Sequence, residues 1–246
     1  MGCDAVAAFR ADRQALLQIC AGLTAADWEA ESGCPGWSVR DLVAHLGVTC
    51  WSVVDLSRLP DVKALPVEEA QEALVRSRRD LDAARVIADY EAVSEQAAAR
   101  LAGLAAMDMR MPLGGLGTYP ASVLPTAFVF DHYTHIRADL FRPRGPLPGP
   151  PPPSDELRLV PTLDWIEAAL PQQNPDAVSA ATLELRITGI GARTINLGTG
   201  PPRATVTSDG LSFVLWITQR ASWADLSVKT DGDAPALCVA SMLKVV

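Results

Sequence analysis

Up to Leu140 the apolar positions recur at the three-to-four-residue spacing of helices. From Ala5 to Leu23, Val6, Phe9, Leu16 and Ile19 fall on one face. Leu23-Thr24-Ala25-Ala26-Asp27-Trp28 reads as a short capped turn, and Cys34-Pro35-Gly36-Trp37 as a loop. Ser38-Val39-Arg40-Asp41 has the form of a capping box, with Ser38 as N-cap and Asp41 reaching back. The helix it opens aligns Leu42, His45, Leu46 and Thr49. A further helical stretch begins at Pro66, with Glu68 and Glu69 where the helix dipole favours acid, and runs to Leu104 with a break between Asp80 and Tyr90. Met107 to Thr118 carries three glycines and reads as loop. A last helix is predicted from Ser122 to Leu140, where Pro125 is tolerable because it lies in the first turn. Long helices with short connections predict an antiparallel four-helix bundle.

The pattern changes after a proline-rich stretch, Pro143-Arg144-Gly145-Pro146-Leu147-Pro148-Gly149 followed by Pro150 to Pro153. Proline lacks the amide donor and favours extended chain, so this stretch reads as a semi-rigid spacer. Beyond it, Thr182 to Ile190 alternates, with Leu183, Leu185 and Ile187 on one side and Glu184, Arg186 and Thr188 on the other. That is the period of a half-buried strand. Further strands are predicted at Thr194–Leu197, Ala204–Thr207 and Leu226–Lys229, and helices at Pro161–Leu170, from Asp209 to Thr218, and at Pro235–Leu243. The expected fold class is therefore α+β with two domains: a bundle over 1–142, a proline-rich linker over 143–154 and a small α+β domain over 155–246.

The chain has 246 residues, 49% hydrophobic and 20% charged, enough to bury substantial cores. Its formal charge of −8 is spread over both halves, and no basic stripe of the kind that neutralises phosphates occurs, so nucleic acid is not an expected partner. No apolar run reaches the length of a membrane span, and no membrane partner is expected. Met1-Gly2-Cys3 invites a lipidation reading, but Val6 stands where that signal needs Ser or Thr. The cysteines, Cys3, Cys20, Cys34, Cys50 and Cys238, are odd in number and scattered. Such usage points to reduced thiols and a cytoplasmic location rather than a disulfide frame. Cys34 reads as a small buried apolar residue.

The chain's three histidines are His45, His132 and His135. His45 lies on the second long helix, the other two on the last. Asp131 and His135 stand four apart and share a helix face. Facing helices of a bundle can converge ligands at its core. His45 with Asp131 and His135 would make a two-histidine, one-carboxylate metal site with open coordination positions. His132 offers an alternative third ligand, through the set His45, His132 and His135.

The segments Leu23-Thr24-x-x-Asp27-Trp28 and Cys34-Pro35-Gly36-Trp37-Ser38-Val39-Arg40-Asp41-Leu42-Val43-Ala44-His45-Leu46 resemble the N-terminal signature of the mycothiol-dependent maleylpyruvate isomerase family. The resemblance implies a DinB-like metalloenzyme bundle, with His45, Asp131 and His135 as ligands of one divalent metal, zinc by expectation. Past the spacer, Phe213-Val214-Leu215-Trp216-Ile217-Thr218-Gln219-Arg220 and Asp231-Gly232-Asp233 resemble the family's sterol-carrier-like C-terminal domain. The family carries a functional arginine in a Gly-Arg pair; Arg220 takes that place as the expected catalytic residue, with Gln219 in place of glycine. Two further departures are that the family's carboxylate ligand is commonly Glu, and that an acidic residue commonly follows the ligand histidine by three places. Here the ligand is Asp131, and Ala138 fills the second position with Asp139 one later.

The resemblance implies mycothiol or a similar thiol as cosubstrate, and a thiol-using isomerase or S-transferase acting on a small electrophilic substrate; separately, a monomer is expected. A metal-bound thiol is deprotonated and becomes a nucleophile. The competing expectations are a metal-dependent hydrolase or cyclase that uses water, and a non-catalytic small-ligand-binding protein on the same scaffold.

Overall fold

The structure is a computed structural model and describes residues 4–246. The Met1-Gly2-Cys3 segment considered for lipidation lies outside the described residues. The chain forms two compact units that divide between Pro153 and Ser154.

In the first unit, local capping starts the helices where the sequence provides caps. Asp4 accepts from Val6 and Ala7 at the start of α1 (Ala5–Ala21). A reciprocal capping box, Thr24 with Asp27, opens the short α2 (Ala25–Glu29). The box expected at Ser38 and Asp41 forms and opens α3 (Val39–Val54). α4 (Val67–Arg76) follows Pro66, and a break over residues 77–82, earlier than the expected Asp80 to Tyr90, separates it from α5 (Ala83–Ala105), which Asp82 caps. The glycine-bearing loop contains a small antiparallel pair that the sequence pattern does not announce, β1 (Arg110–Pro112) with β2 (Thr118–Pro120), Arg110 opposite Pro120. α6 (Leu124–Thr134) has Pro125 in its first turn and continues into a π-helical turn, His135–Asp139.

α1, α3, α5 and α6 pack as the bundle, with α3 against α5 and α1 against α6 and α5. Phe9, Leu16, Leu42, Leu46, Val93, Ala97, Leu101, Val129 and Ile136 are buried in its core. At about 25 cal/mol per Å² of apolar surface, such side chains are the main source of the bundle's stability. The proline-rich stretch folds back onto this unit. Leu147 is buried, its N–H bonds the Leu140 carbonyl at 2.9 Å, and Arg142 N–H bonds the Leu147 carbonyl at 3.2 Å. Its far end is held as well, because Arg137 donates to the Pro153 carbonyl at 2.9 Å.

The second unit is a small α+β layer structure. α7 (Glu156–Gln173) begins earlier than Pro161, because Asp155 caps it and the prolines at 161 and 171 sit inside the helix. α8 is Pro175–Ala180. The strands are β3 (Leu183–Thr188), β4 (Arg193–Leu197), β5 (Ala204–Asp209) and β6 (Lys229–Gly232), in the sheet order β4-β3-β5-β6. β3 pairs antiparallel with β4 (Leu183 opposite Leu197) and parallel with β5 (Leu183 opposite Ala204), and β5 pairs antiparallel with β6. α9 (Gly210–Ile217) packs on β3 and β5 and α10 (Ala234–Ser241) on β5. Leu183, Leu185 and Ile187 are buried as their alternation predicts. The last strand lies later than Leu226–Lys229: β6 is a fully exposed edge of polar residues, so its sequence carries no burial period. No helix among the described residues is long and apolar enough to cross a membrane.

Candidate metal centre

The capping box at Ser38 sets the phase of α3 so that His45 is buried on its bundle face. Opposite, the four-residue spacing on α6 stacks Asp131 and His135 on one side of that helix. The three side chains meet. His45 Nε2 lies 3.2 Å from Asp131 Oδ1, His135 Nε2 lies 3.5 Å from the same oxygen, and the two imidazole centres are 4.9 Å apart. One ligand-type atom from each of the three residues lies within 4.8 Å of the others. Aspartate is therefore long enough to reach both histidines from this position.

Burial opposes the charge on Asp131, but His45 and the hydrogen bonds with His135 and His45 outweigh it and hold the carboxyl well below the usual carboxylate range. Burial also opposes charge on His135; its contacts with Asp131, Asp139 and Cys34 overcome that and raise it well above the ordinary histidine value.

His132 is engaged elsewhere. It is fully buried, with Nδ1 3.0 Å from the Phe128 carbonyl, Nε2 3.1 Å from the Tyr90 hydroxyl and its ring edge-on to Phe9. Burial lowers its proton affinity. Both nitrogens find their hydrogen-bond partners away from the cluster, although Nδ1 also lies 4.0 Å from Asp131 Oδ2, and His45, Asp131 and His135 are the set whose ligand-type atoms converge.

The donor set fits a divalent cation. Tetrahedral shells with bonds of about 2.0–2.1 Å put neighbouring donors roughly 3.3 Å apart, close to the 3.2 and 3.5 Å seen here. Asp131 Oδ2 and His45 Nδ1 are buried without a hydrogen-bond partner, and such orphaned polar atoms are uncommon in a folded chain.

A second cluster adjoins the first and was not legible as part of it. Cys34 Sγ lies 3.4 Å from Asp139 Oδ2 and 3.6 Å from His135 Nδ1, and His135 Nδ1 lies 2.8 Å from Asp139 Oδ2. The reading of Cys34 as a buried apolar filler is thereby corrected: it is half-buried and touches polar groups, because its loop turns back on the bundle. Gly33 N–H bonds the Asp139 carbonyl at 2.7 Å, and Arg144 donates to the Gly33 carbonyl at 2.6 Å. A depression of about 360 Å³ opens beside this loop, lined by Glu31, Ser32, Gly33, Pro35 and Arg144. The signal for Asp139 was present: Asp131, His135 and Asp139 form a ladder of equal four-residue steps.

Arg220 lies in the second unit, in the turn that closes α9. Its N–H bonds the Leu215 carbonyl at 2.8 Å and Nη1 donates to the Thr218 carbonyl at 3.3 Å. Gln219 before it is left-handed at φ 57°, the conformation that favours glycine. The Gln219 side chain donates to the Leu243 carbonyl at 2.9 Å, which helps hold it there.

Residues 9–141, more than half of the chain, match the model of the mycothiol maleylpyruvate isomerase N-terminal domain, and the chain belongs to that family. Among solved structures it is similar to the mycothiol-dependent maleylpyruvate isomerase (14% identity, 94% of each chain covered, TM-score 0.64). It is similar also to a histidine-to-alanine mutant of that enzyme (14% identity, 94% of each chain, TM-score 0.63). At that identity the likeness concerns the fold. A comparison with curated protein sequences gives no match.

Proposed function

We propose that the chain is a thiol-dependent isomerase acting on a small electrophilic substrate, with a divalent cation, zinc by preference, held by His45, Asp131 and His135 and mycothiol or a similar thiol as cosubstrate. The observation that carries this reading is the convergence of two imidazole nitrogens and one carboxylate from α3 and α6, together with the family to which the chain belongs. Held by these three residues, a divalent cation would lower the pKa of a bound thiol and so supply a thiolate near neutral pH. A thiolate that added reversibly to an activated double bond would leave a single bond free to rotate, and its elimination would return the thiol.

The chain's own residues set the stage. His45 and His135 direct Nε2 at one point, and Asp131 supplies negative charge between them. The Trp37 ring lies against the His45 ring, with centroids 5.1 Å apart. Arg220 is proposed as the group that holds the substrate's negative end, since a guanidinium binds carboxylates bidentately and lysine cannot copy its fork. A monomer in the cytoplasm completes the proposal, supported there by the free thiols of Cys20, Cys34, Cys50 and Cys238.

The test is metal analysis of untagged protein, followed by titration with mycothiol. One equivalent of metal, lost in His45→Ala, and turnover that requires thiol support the reading. Full turnover without thiol would replace it by a reaction in which water is the nucleophile.

A further inference from the structure

Two donor clusters share the ring of His135. Nε2 faces Asp131 at 3.5 Å, while Nδ1 faces Asp139 at 2.8 Å and Cys34 at 3.6 Å. A neutral imidazole offers one lone pair and one N–H, so it cannot be a ligand to both sides at once. On the Asp131 side, Oδ1 is shared between His135 Nε2 and His45 Nε2, and Oδ2 has no hydrogen-bond partner. The Asp139 side is internally matched: Oδ2 meets His135 Nδ1 and the Cys34 thiol, and Oδ1 lies 3.5 Å from Arg144 Nε. Asp139 is fully buried, and a buried carboxylate persists only with such partners.

The backbone brings Asp139 there. Leu140 N–H bonds the His135 carbonyl at 3.1 Å, a five-residue step in place of the α-helical four. The wider π-helical turn spans His135 to Asp139. Gly33 N–H on the Asp139 carbonyl then fixes the turn from outside.

We propose that Asp139 is a positioning residue for His135: it accepts Nδ1–H, fixes the tautomer and ring plane, and so turns Nε2 toward Asp131 and His45, with Arg144 and Cys34 steadying its carboxylate. This role rests on the proposed cation site at His45, Asp131 and His135. Carboxylates placed behind ligand histidines act in this way, and their loss typically weakens metal binding roughly 10- to 100-fold.

The experiment strips the full chain with a chelator and titrates it with Co²⁺, comparing the unmodified chain with Asp139→Ala, Asp139→Asn and His45→Ala. One equivalent should bind, with affinity roughly 10- to 100-fold weaker in Asp139→Ala and a smaller weakening in Asp139→Asn, which keeps the size of the side chain. In the Zn²⁺-loaded chain, nitrogen-proton NMR should show a slowly exchanging His135 Nδ1–H that exchanges faster in Asp139→Ala. That readout would not move if Asp139 merely filled space. Unchanged affinity in both Asp139 variants, or His135 protonated at Nε2 in the loaded chain, overturns the role and leaves the cation reading intact. An unmodified chain that takes up no cation, or undiminished uptake by His45→Ala, overturns the cation reading and the role with it.

Discussion

Arg137 and Asp12, 125 residues apart in sequence, meet inside the bundle as a two-pronged ion pair, Nη2 to Oδ1 at 2.8 Å and Nη1 to Oδ2 at 3.2 Å. Neither side chain is more than 3% exposed. The pair ties α1 to the π-helical turn that carries His135. Removing one partner strands the other charge in the interior, so Asp12→Ala should cost about 3–5 kcal/mol in urea denaturation. Replacing both by apolar residues, Asp12→Leu with Arg137→Met, should recover most of that loss. Equal instability of the single and double variants would show that the charges themselves are required.

The proposed ligand set makes a prediction about His132. Its nitrogens serve the Phe128 carbonyl and the Tyr90 hydroxyl. His132→Ala should therefore keep a full equivalent of metal while losing stability by about 1–3 kcal/mol, since it leaves the Tyr90 hydroxyl without this partner. Metal analysis beside thermal melting separates the two effects. Loss of metal with unchanged melting would return His132 to the ligand set.

Thiol chemistry offers a check that needs no mutation. Burial pushes the Cys20 thiol up to about 12 and raises Cys50 well above the ordinary value, whereas Cys238 is exposed. The thiolate is the reactive form, and raised values keep both buried thiols protonated at pH 8. Alkylation at that pH, read by peptide mass spectrometry, should mark Cys238 quickly and leave Cys20 and Cys50 unmarked until urea is added. Cys50 reacting as fast as Cys238 in the folded chain would contradict the packing between α3 and α5.

The turn before Arg220 is strained by its sequence. Gln219 is the one non-glycine residue with positive φ among those described. A β-branched side chain fits that region poorly, so Gln219→Val should destabilise by about 1–3 kcal/mol, and Gln219→Asn by less. The melting temperatures of the two variants provide the measurement, and equal values would argue against the left-handed turn.

Much of this molecule was readable because its signals are local. Ser38 and Asp41 cap α3 through bonds three residues apart, and the spacing of Asp131 and His135 fixes their shared face. The meeting with His45 needed the bundle, and the family resemblance pointed to it. What stayed hidden depends on contacts between distant segments. Cys34 reaches the site because Gly33 bonds the backbone at Asp139, and Leu147 is buried because its N–H returns to Leu140. No periodicity encodes either contact. The π-helical turn was hidden because it changes the hydrogen-bond step without changing the apolar pattern around Ile136.

Gly33 shows what such a distant contact does. A Cβ built there would lie 2.7 Å from both the Cα and Oδ1 of Asp139. Backbone meets backbone with no room for a methyl group, so the loop and the turn are held at a spacing that the absence of a side chain defines. Gly33 therefore acts as a gauge for the proposed centre through its backbone alone, with no side chain to serve as a ligand. A change of one carbon at this loop position would push first on the carboxylate behind His135, and damage that resembled a lost ligand would originate in a residue with no side chain.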